Sequence, residues 1–189
     1  MRRRGNGTIQ PWRVLKTQLA FDNRWAKVRQ DECELPNGEV VPDYYYWEGG
    51  DFAQIFALTP DNEVVLTRQY KHGVKEIVTE LPAGLIDSQE TPIGAAKREL
   101  EEETGYRATE WVPLGQLNVS SAKATTRANA FFAKNARKTA EPTLDSTEEI
   151  EVLLVAIDEL LDLISRGTVK DAGPVATTLL ALKALKMKI

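Results

Sequence analysis

The segment "GLIDSQETPIGAAKRELEEETGY" (residues 84–106) decides how this chain is interpreted. It places Arg-Glu at 98–99 and Glu-Glu-Glu at 101–103 on one short predicted helix, with a glycine at each end. Like charges three or four positions apart on a helix repel each other by about 0.2–0.5 kcal/mol per pair. The crowding therefore predicts a partner that neutralises these carboxylates.

The boundaries of this helix can be located from single residues. Thr91 can cap the first turn, and Pro92 stands where the first helical residue tolerates proline. Gly105 supplies the left-handed conformation that ends many helices. These signals predict a helix between Thr91 and Gly105.

The side chains on the predicted helix divide into two groups. At 100° per residue, Glu99, Glu102 and Glu103 share one side, and Glu101 points away from them. Arg98 lies four residues before Glu102 and can form an ion pair with it. Several carboxylates within one helical turn suit a hard divalent cation, so the pattern predicts a site for Mg²⁺ or Mn²⁺.

The composition and net charge of the chain exclude several classes of protein. The chain has 189 residues, of which 42% are hydrophobic and 28% charged, which fits one globular domain or a domain with a small extension. A net charge of −4 does not give the basic surface that is typical of nucleic-acid-binding proteins, so nucleic acid is not an expected partner. No apolar run approaches the roughly 20 residues that span a bilayer, and the basic start lacks an apolar signal region. We expect a soluble cytoplasmic protein without membrane contact.

The order of predicted strands and helices indicates an α+β protein. Segments rich in β-branched and aromatic residues predict strands, and they lie at 12–21, 25–35, 40–48, 52–58, 63–70, 111–117, 128–136 and 149–157. Two further helices are predicted, at 158–167 with Asp158 as its cap and at 173–187. The pattern favours helices packed on a mixed sheet, with a small separate sheet near the N-terminus whose edge is a candidate dimer surface.

The glutamate-rich segment fits a longer pattern, G-x5-E-x7-R-E-U-x-E-E-x-G-U, where U is a bulky apolar residue. The matching residues are Gly84, Glu90, Arg98, Glu99, Leu100, Glu102, Glu103, Gly105 and Tyr106. Seven fixed identities should arise by chance in fewer than about one in 10⁷ windows. The segment resembles the Nudix box of the Nudix hydrolases.

This resemblance implies an α/β/α sandwich that cleaves a nucleoside diphosphate linked to another group with the help of Mg²⁺ or Mn²⁺. The implied metal ligands are Glu99, Glu102, Glu103 and the carbonyl of Ala83. The implied structural residues of the box are Gly84, Glu90, Arg98 and Gly105. The catalytic carboxylates would be the three metal-binding glutamates together with Glu148, the family match in the later "LDSTEEIEV" loop; the alternative for Glu148 is an ordinary loop charge.

The stretches "RQYK" and "ELPAGLID" are similar to the ADP-ribose and nucleoside diphosphate sugar pyrophosphatase branch. That branch implies a homodimer with two regions, an N-terminal β-sheet for dimerisation and base binding (11–50) and a Nudix hydrolase domain (51–189). The basic start of the chain separately predicts a disordered arm (1–10).

The same branch suggests substrate contacts. Trp25 and Tyr45 are the candidates for stacking a base, with packing as the alternative for each aromatic. Lys71 is favoured as the diphosphate contact. Arg68 lies three positions earlier on the same strand and should face the opposite side, so it is either a second contact or a surface charge.

One departure bears on the substrate. The branch usually carries a proline about sixteen residues past the box glycine, where this chain has Ser121. The departure leaves room for a nucleoside diphosphate sugar other than ADP-ribose. An RNA 5′-end or dinucleoside polyphosphate pyrophosphohydrolase is the second enzymatic hypothesis, and a non-catalytic nucleotide-sugar sensor is the third.

Overall fold

The computed structural model describes residues 8–187, so most of the predicted basic arm lies outside the described residues. The chain forms twelve strands and three helices within this range. The strands are β1 (Arg13–Asp22), β2 (Lys27–Glu34), β3 (Val40–Trp47), β4 (Phe52–Leu58), β5 (Glu63–Lys71), β6 (Glu76–Glu80), β7 (Ala83–Leu85), β8 (Tyr106–Arg107), β9 (Glu110–Asn118), β10 (Arg127–Lys134), β11 (Arg137–Lys138) and β12 (Ile150–Ala156). The helices are α1 (Pro92–Thr104), α2 (Ile157–Ser165) and α3 (Ala172–Ala184).

The larger unit, residues 50–119 and 126–187, is built on a mixed sheet. Its strands lie in the order β12-β5-β4-β10-β9, in which β4 and β10 are parallel and the other pairs antiparallel. Six of the seven residues of β4 are buried, because this apolar strand lies in the middle of the sheet and is covered on both faces.

Helices cover both faces of this sheet. On one face, Ile55 and Val65 pack with Leu100 of α1 in one core cluster. On the other face, Phe56 packs with Leu160 of α2 in a second cluster that also includes residues of α3. This arrangement confirms the predicted α/β/α sandwich with a mixed sheet.

The sheet opens where the chain approaches α1. Strands β4 and β5 pair only through residues 57–58 and 64–65 and then separate. Beyond that point β6 pairs with β5, and β7 pairs with β4. The segment from β6 to β7 therefore crosses the opening and brings Ala83 and Gly84 beside α1.

The smaller unit contains residues 8–49 and the segment Ser120–Thr125. Its antiparallel sheet has the order β1-β2-β3, which confirms the separate N-terminal sheet. The backbone of Trp47 bonds to both Lys123 and Thr125, at 2.8 and 3.0 Å, so the segment extends the edge of β3. No helix among residues 8–187 is long and apolar enough to cross a membrane.

The predicted helix boundaries were correct for α1. The Thr91 hydroxyl accepts a hydrogen bond from the Gly94 N–H, and Gly105 has a φ of 73°. The prediction of Asp158 as the cap of α2 was wrong, because the helix begins at Ile157 and Asp158 lies in its first turn. An acidic residue in that turn interacts favourably with the helix dipole without capping it.

Candidate active site

The most buried carboxylate of the site is Glu103 on α1. Its side chain accepts a hydrogen bond from the Ala83 N–H at 3.0 Å, and the residue is only 5% exposed. Burial raises its pKa to about 8, a rise that the Ala83 hydrogen bond opposes and the charge of Glu99 increases. Such a carboxylate is costly to ionise without a neighbouring cation, which makes Glu103 suited to a metal ion.

Glu99 occupies space that only a glycine leaves free. A Cβ placed on Gly84 would lie 1.9 Å from the carboxyl carbon of Glu99. Burial raises the pKa of Glu99, and hydrogen bonding to Arg98 opposes this rise. Gly84 of β7 therefore has a physical role, because it allows Glu99 to approach the backbone of the loop.

Arg98 connects the carboxylates to the loop before the helix. Its guanidinium binds Glu90 through two nitrogens, at 3.1 and 2.9 Å, and donates to the Leu85 carbonyl at 2.9 Å. One further nitrogen, Nη1, donates to Glu99 at 2.7 Å and to Glu102 at 2.9 Å. Pairing with Arg98 lowers the pKa of Glu90.

The remaining glutamate of the run faces away, as predicted. Glu101 pairs with Arg107 at 2.5 Å, outside the group formed by the other three carboxylates. This ion pair was not expected from the sequence, because Arg107 comes after the helix has ended. At the end of α1, a Cβ on Gly105 would lie 2.1 Å from the Ala140 carbonyl oxygen, so close packing also requires this glycine.

Glu148 lies in the loop that returns past α1. The Thr143 N–H donates to the Glu102 carbonyl at 2.8 Å, which holds this loop against the helix. The charge of Glu148 contributes to the raised pKa of Glu99, so the two carboxylates lie within electrostatic reach. The side chain of Glu148 accepts a hydrogen bond from the Asp145 N–H at 3.1 Å.

The two cations predicted on β5 lie on opposite faces. Lys71 pairs with Glu80 of β6 at 2.9 Å, and its charge lowers the pKa of Glu103, after the larger effects of burial and hydrogen bonding. Arg68 pairs with Glu151 of β12 at 3.2 Å. Of these two cations, Lys71 is the one on the face of β5 that packs toward α1.

The predicted base contacts, Trp25 and Tyr45, belong to the smaller unit. Trp25 lies in the turn between β1 and β2 and is 77% exposed, with the Arg24 guanidinium 4.6 Å from its ring. Tyr45 lies on β3 and is 44% exposed. Both rings present surface on which a base could stack.

The donor set fits a divalent cation, although the carboxylates are held by protein groups in this structure. Within residues 8–187, no three Asp, Glu, His or Cys side chains are already gathered as a metal site. Glu99 and Glu102 bind Arg98, and Glu103 binds the Ala83 N–H. Buried Glu103 and partly buried Glu99, both with raised pKa values, lie beside Glu102 and are the hard oxygen donors that Mg²⁺ and Mn²⁺ prefer.

Sequence reasoning missed Glu80 and Gln69. The Glu80 carboxylate accepts from Gln69 at 3.1 Å as well as from Lys71. The available signal was a short strand, "EIVTE", before the loop that leads to Gly84. Its pairing with β5 sets Glu80 opposite Thr67, from where the Glu80 side chain reaches both Gln69 and Lys71.

Comparisons with known proteins agree with this architecture. The NUDIX domain family profile matches residues 52–176, and the profile of the nucleoside diphosphate sugar hydrolase N-terminal domain matches residues 12–47. A methanol dehydrogenase activator of Bacillus methanolicus is 29% identical over 96% of both chains. An ADP-ribose pyrophosphatase of Bacillus subtilis (strain 168) is 28% identical over 93% of this chain and 92% of the relative.

A solved structure shares the fold. The crystal structure of an ADP compounds hydrolase superposes with a TM-score of 0.86 at 22% identity, covering 96% of this chain and 97% of the other. The likeness spans both the small N-terminal sheet and the larger sandwich.

Proposed function

Because the chain belongs to the Nudix family of hydrolases, we propose that it cleaves the diphosphate bond of ADP-ribose or a related nucleoside diphosphate sugar. The products would be a nucleoside monophosphate and a sugar phosphate. The observation that carries this proposal is the cluster of Glu99, Glu102 and Glu103 beside Ala83 and Gly84. The similarity of residues 12–47 to nucleoside diphosphate sugar hydrolases supports this substrate class.

The proposed roles follow the contacts of each residue. Glu99, Glu102, Glu103 and the Ala83 carbonyl would hold Mg²⁺ or Mn²⁺. The bound ion supplies positive charge for the diphosphate oxygens and makes an attacking water more acidic. Arg98 and Glu90 hold together α1 and the loop that precedes it, which keeps the helical carboxylates beside Ala83 and Gly84.

The remaining roles concern the proton and the substrate. Glu148 is proposed to accept the proton of the attacking water, since it lies in a loop held against α1 and within reach of Glu99. Lys71 is proposed to bind a diphosphate oxygen, and Trp25 and Tyr45 to stack the base. Arg68 is the weaker candidate for substrate contact, because it pairs with Glu151 on the other face of β5.

We also propose that the protein is a homodimer through its N-terminal sheet. All ten residues of β1 are exposed, including Val14, Leu15, Leu19 and Phe21. Among the described residues, β1 pairs only with β2, so its other edge offers unpaired backbone groups. A second copy could cover both this edge and the apolar side chains.

A substrate panel tests the enzymatic proposal. The protein is incubated with Mg²⁺ and, separately, with ADP-ribose, ADP-glucose, GDP-mannose, UDP-glucose, a dinucleoside polyphosphate and dGTP, and products are separated by chromatography. We expect cleavage of at least one nucleotide sugar to a nucleoside monophosphate and a sugar phosphate. Absence of cleavage for every compound would refute the proposal, and preferential cleavage of the dinucleoside polyphosphate would favour the second enzymatic hypothesis.

A second candidate function comes from the full-length similarity to the methanol dehydrogenase activator. The protein would then change the activity of a methanol dehydrogenase. Adding the protein and Mg²⁺ to a methanol dehydrogenase assay tests this directly. An unchanged dehydrogenase rate, together with cleavage of a nucleotide sugar, would support the pyrophosphatase function and not the activator function.

A further inference from the structure

Lys71, the proposed diphosphate contact, is held by a carboxylate outside the Nudix box. Its ammonium nitrogen lies 2.9 Å from the Glu80 side chain, which is only 13% exposed. The same Glu80 oxygen accepts a hydrogen bond from Gln69 at 3.1 Å. Gln69 thus orients Glu80, and Glu80 in turn fixes the position of the lysine.

The strand geometry explains why this group faces the metal-binding helix. Side chains alternate along a strand, so Val65, Gln69 and Lys71 lie on one face of β5. Val65 packs in the same core cluster as Leu100 of α1. This face of β5 is therefore directed toward the helix that carries Glu103.

Lys71 has a second carboxylate within electrostatic reach. Glu80 lies three residues before Ala83, whose N–H binds the Glu103 carboxylate. The charge of Lys71 lowers the pKa of Glu103 and the charge of Glu80 raises it, although burial is the largest influence. The ammonium thus lies near two carboxylates and contacts Glu80 in this structure.

Without Glu80, the Lys71 ammonium would form an ion pair with another carboxylate. Its ammonium sits on a flexible four-carbon chain with three rotatable donors. Attraction between opposite charges is stronger at a buried site than in water, so buried Glu103 would be a favourable alternative partner. An ammonium on Glu103 would then occupy a position that a divalent cation needs.

We propose that Glu80 is a positioning residue that keeps Lys71 away from Glu103. This arrangement leaves Glu103 available to a divalent cation and Lys71 available to the diphosphate. The inference rests on the proposed function for its kinetic part, whereas its cation-binding part can be measured without any substrate.

The experiment measures Mn²⁺ binding to the metal-free protein, by the electron paramagnetic resonance signal of free Mn²⁺. Four variants are compared with the parent protein: Glu80→Ala, Lys71→Met, the double variant, and Glu151→Ala. Glu151→Ala is the matched control, because it removes the carboxylate partner of the other cation on β5, on the opposite face. We expect Glu80→Ala to bind Mn²⁺ about tenfold more weakly.

The double variant identifies the route of the effect. If freed Lys71 blocks the cation, then removing Lys71 as well should restore Mn²⁺ affinity to within about twofold of the parent protein. The same double variant should keep a raised KM, because the diphosphate has lost its proposed contact. Glu151→Ala should match the parent protein in Mn²⁺ affinity.

Two results would overturn the inference. One is parent-like Mn²⁺ affinity in Glu80→Ala, and the other is a double variant that binds as weakly as Glu80→Ala. If Glu80→Ala does not fold, Glu80→Gln replaces it, since the amide oxygen can still accept from Gln69. A loss of about threefold that Lys71→Met reverses is then expected, and no loss contradicts the inference.

The proposed function fails separately from this inference. If no compound of the panel is cleaved but the Mn²⁺ results are as expected, the function is wrong and the role of Glu80 in cation access stands. If cleavage occurs but Mn²⁺ affinity does not depend on Glu80, only the role of Glu80 is wrong.

Discussion

Two strands, β4 and β1, show how differently the two units of this protein are built. Six of the seven residues of β4 are buried, whereas all ten residues of β1 are exposed. Both strands were predicted from apolar and β-branched residues. In the larger unit, its own helices cover the sheet and carry the carboxylate cluster. The smaller unit presents apolar surface, which suits the binding of a base or of a second copy.

If the two units have these separate roles, substitutions in the larger unit should abolish turnover. Substitutions in the smaller unit should alter substrate selection or dimer formation. The largest effect is expected for Glu103→Gln. Glutamine is similar in size but lacks the charge that a cation requires, so kcat should fall at least about 10³-fold. Steady-state kinetics on the cleaved nucleotide sugar measure this loss, and circular dichroism checks the fold.

The control for this change lies on the same helix. Glu101→Gln removes a carboxylate that faces away and pairs with Arg107. Its activity should stay within about twofold of the parent protein, since an exposed ion pair contributes little. Near-normal activity in Glu103→Gln would refute its proposed metal role.

The stability of the metal-free protein should depend on pH through Glu103. Burial raises the pKa of this carboxyl from 4.5 to about 8, so the folded state holds the proton more tightly than the unfolded state. The resulting stability is fully present below about pH 4.5 and is lost as the pH rises to about 8. Urea unfolding should show a loss of up to about 4 kcal/mol from this group between pH 5 and 8.

Two comparisons assign that loss to Glu103. In Glu103→Gln the decline should be smaller, because the group no longer ionises. In the parent protein, Mg²⁺ should also reduce the decline, since a cation stabilises the ionised form. An equal decline in both proteins without metal would contradict the assignment.

Assembly should depend on the exposed strand of the smaller unit. Leu19→Lys places a charge on β1, where a dimer would bury the side chain, and should weaken association by about 100-fold. Lys16→Ala, on the same strand, serves as the control. Sedimentation equilibrium measures both, and a parent protein that is monomeric at every concentration would disprove the proposed dimer.

Gly84→Ala tests the close approach of Glu99 to the loop. The added Cβ would lie 1.9 Å from the Glu99 carboxyl carbon, which must then move. Because only the end of a flexible side chain moves, activity should fall about 30-fold while stability changes little. Gly73→Ala is the matched control, since its Cβ would meet no atom within 4 Å. Equal activity in both variants would show that this approach is not needed.

The boundaries of α1 could be predicted from the sequence because the residues that start and end a helix act locally. Thr91, Pro92 and Gly105 act within one turn of the helix ends, and the glutamates share a side through helical geometry alone. The role of Gly84 was recognised from the family pattern, but its physical cause required the position of Glu99.

Long-range contacts account for what the sequence did not predict. Glu80 reaches Lys71 through the pairing of β6 with β5, and β6 is too short to show a clear strand pattern. The grouping of Ser120–Thr125 with the smaller unit depends on Trp47, more than 70 positions away in the chain. Sequence separation of this size leaves no local signal.

The smallest effect is expected within the smaller unit, where Ser120–Thr125 contacts β3. The Tyr44 hydroxyl donates to the Ala122 carbonyl, and the Lys123 ammonium lies 4.6 Å from the Tyr44 ring. Tyr44→Phe removes the hydrogen bond and keeps the ring, so the segment should loosen without unfolding. Hydrogen exchange at Thr125, whose N–H binds the Trp47 carbonyl, should become faster.

The kinetic consequence should appear in substrate choice. Ser121 stands in the segment that we expect to influence which nucleotide sugar binds, so Tyr44→Phe should change KM by about threefold and kcat by less than about twofold. The ratio of kcat/KM for two nucleotide sugars of the panel measures this shift. Tyr46→Phe is the control, because Tyr46 lies on the same strand and its side chain interacts with Asp31 of β2. A large fall in kcat for Tyr44→Phe would contradict this division of roles, since the smaller unit would then contribute to the chemical step as well as to substrate selection.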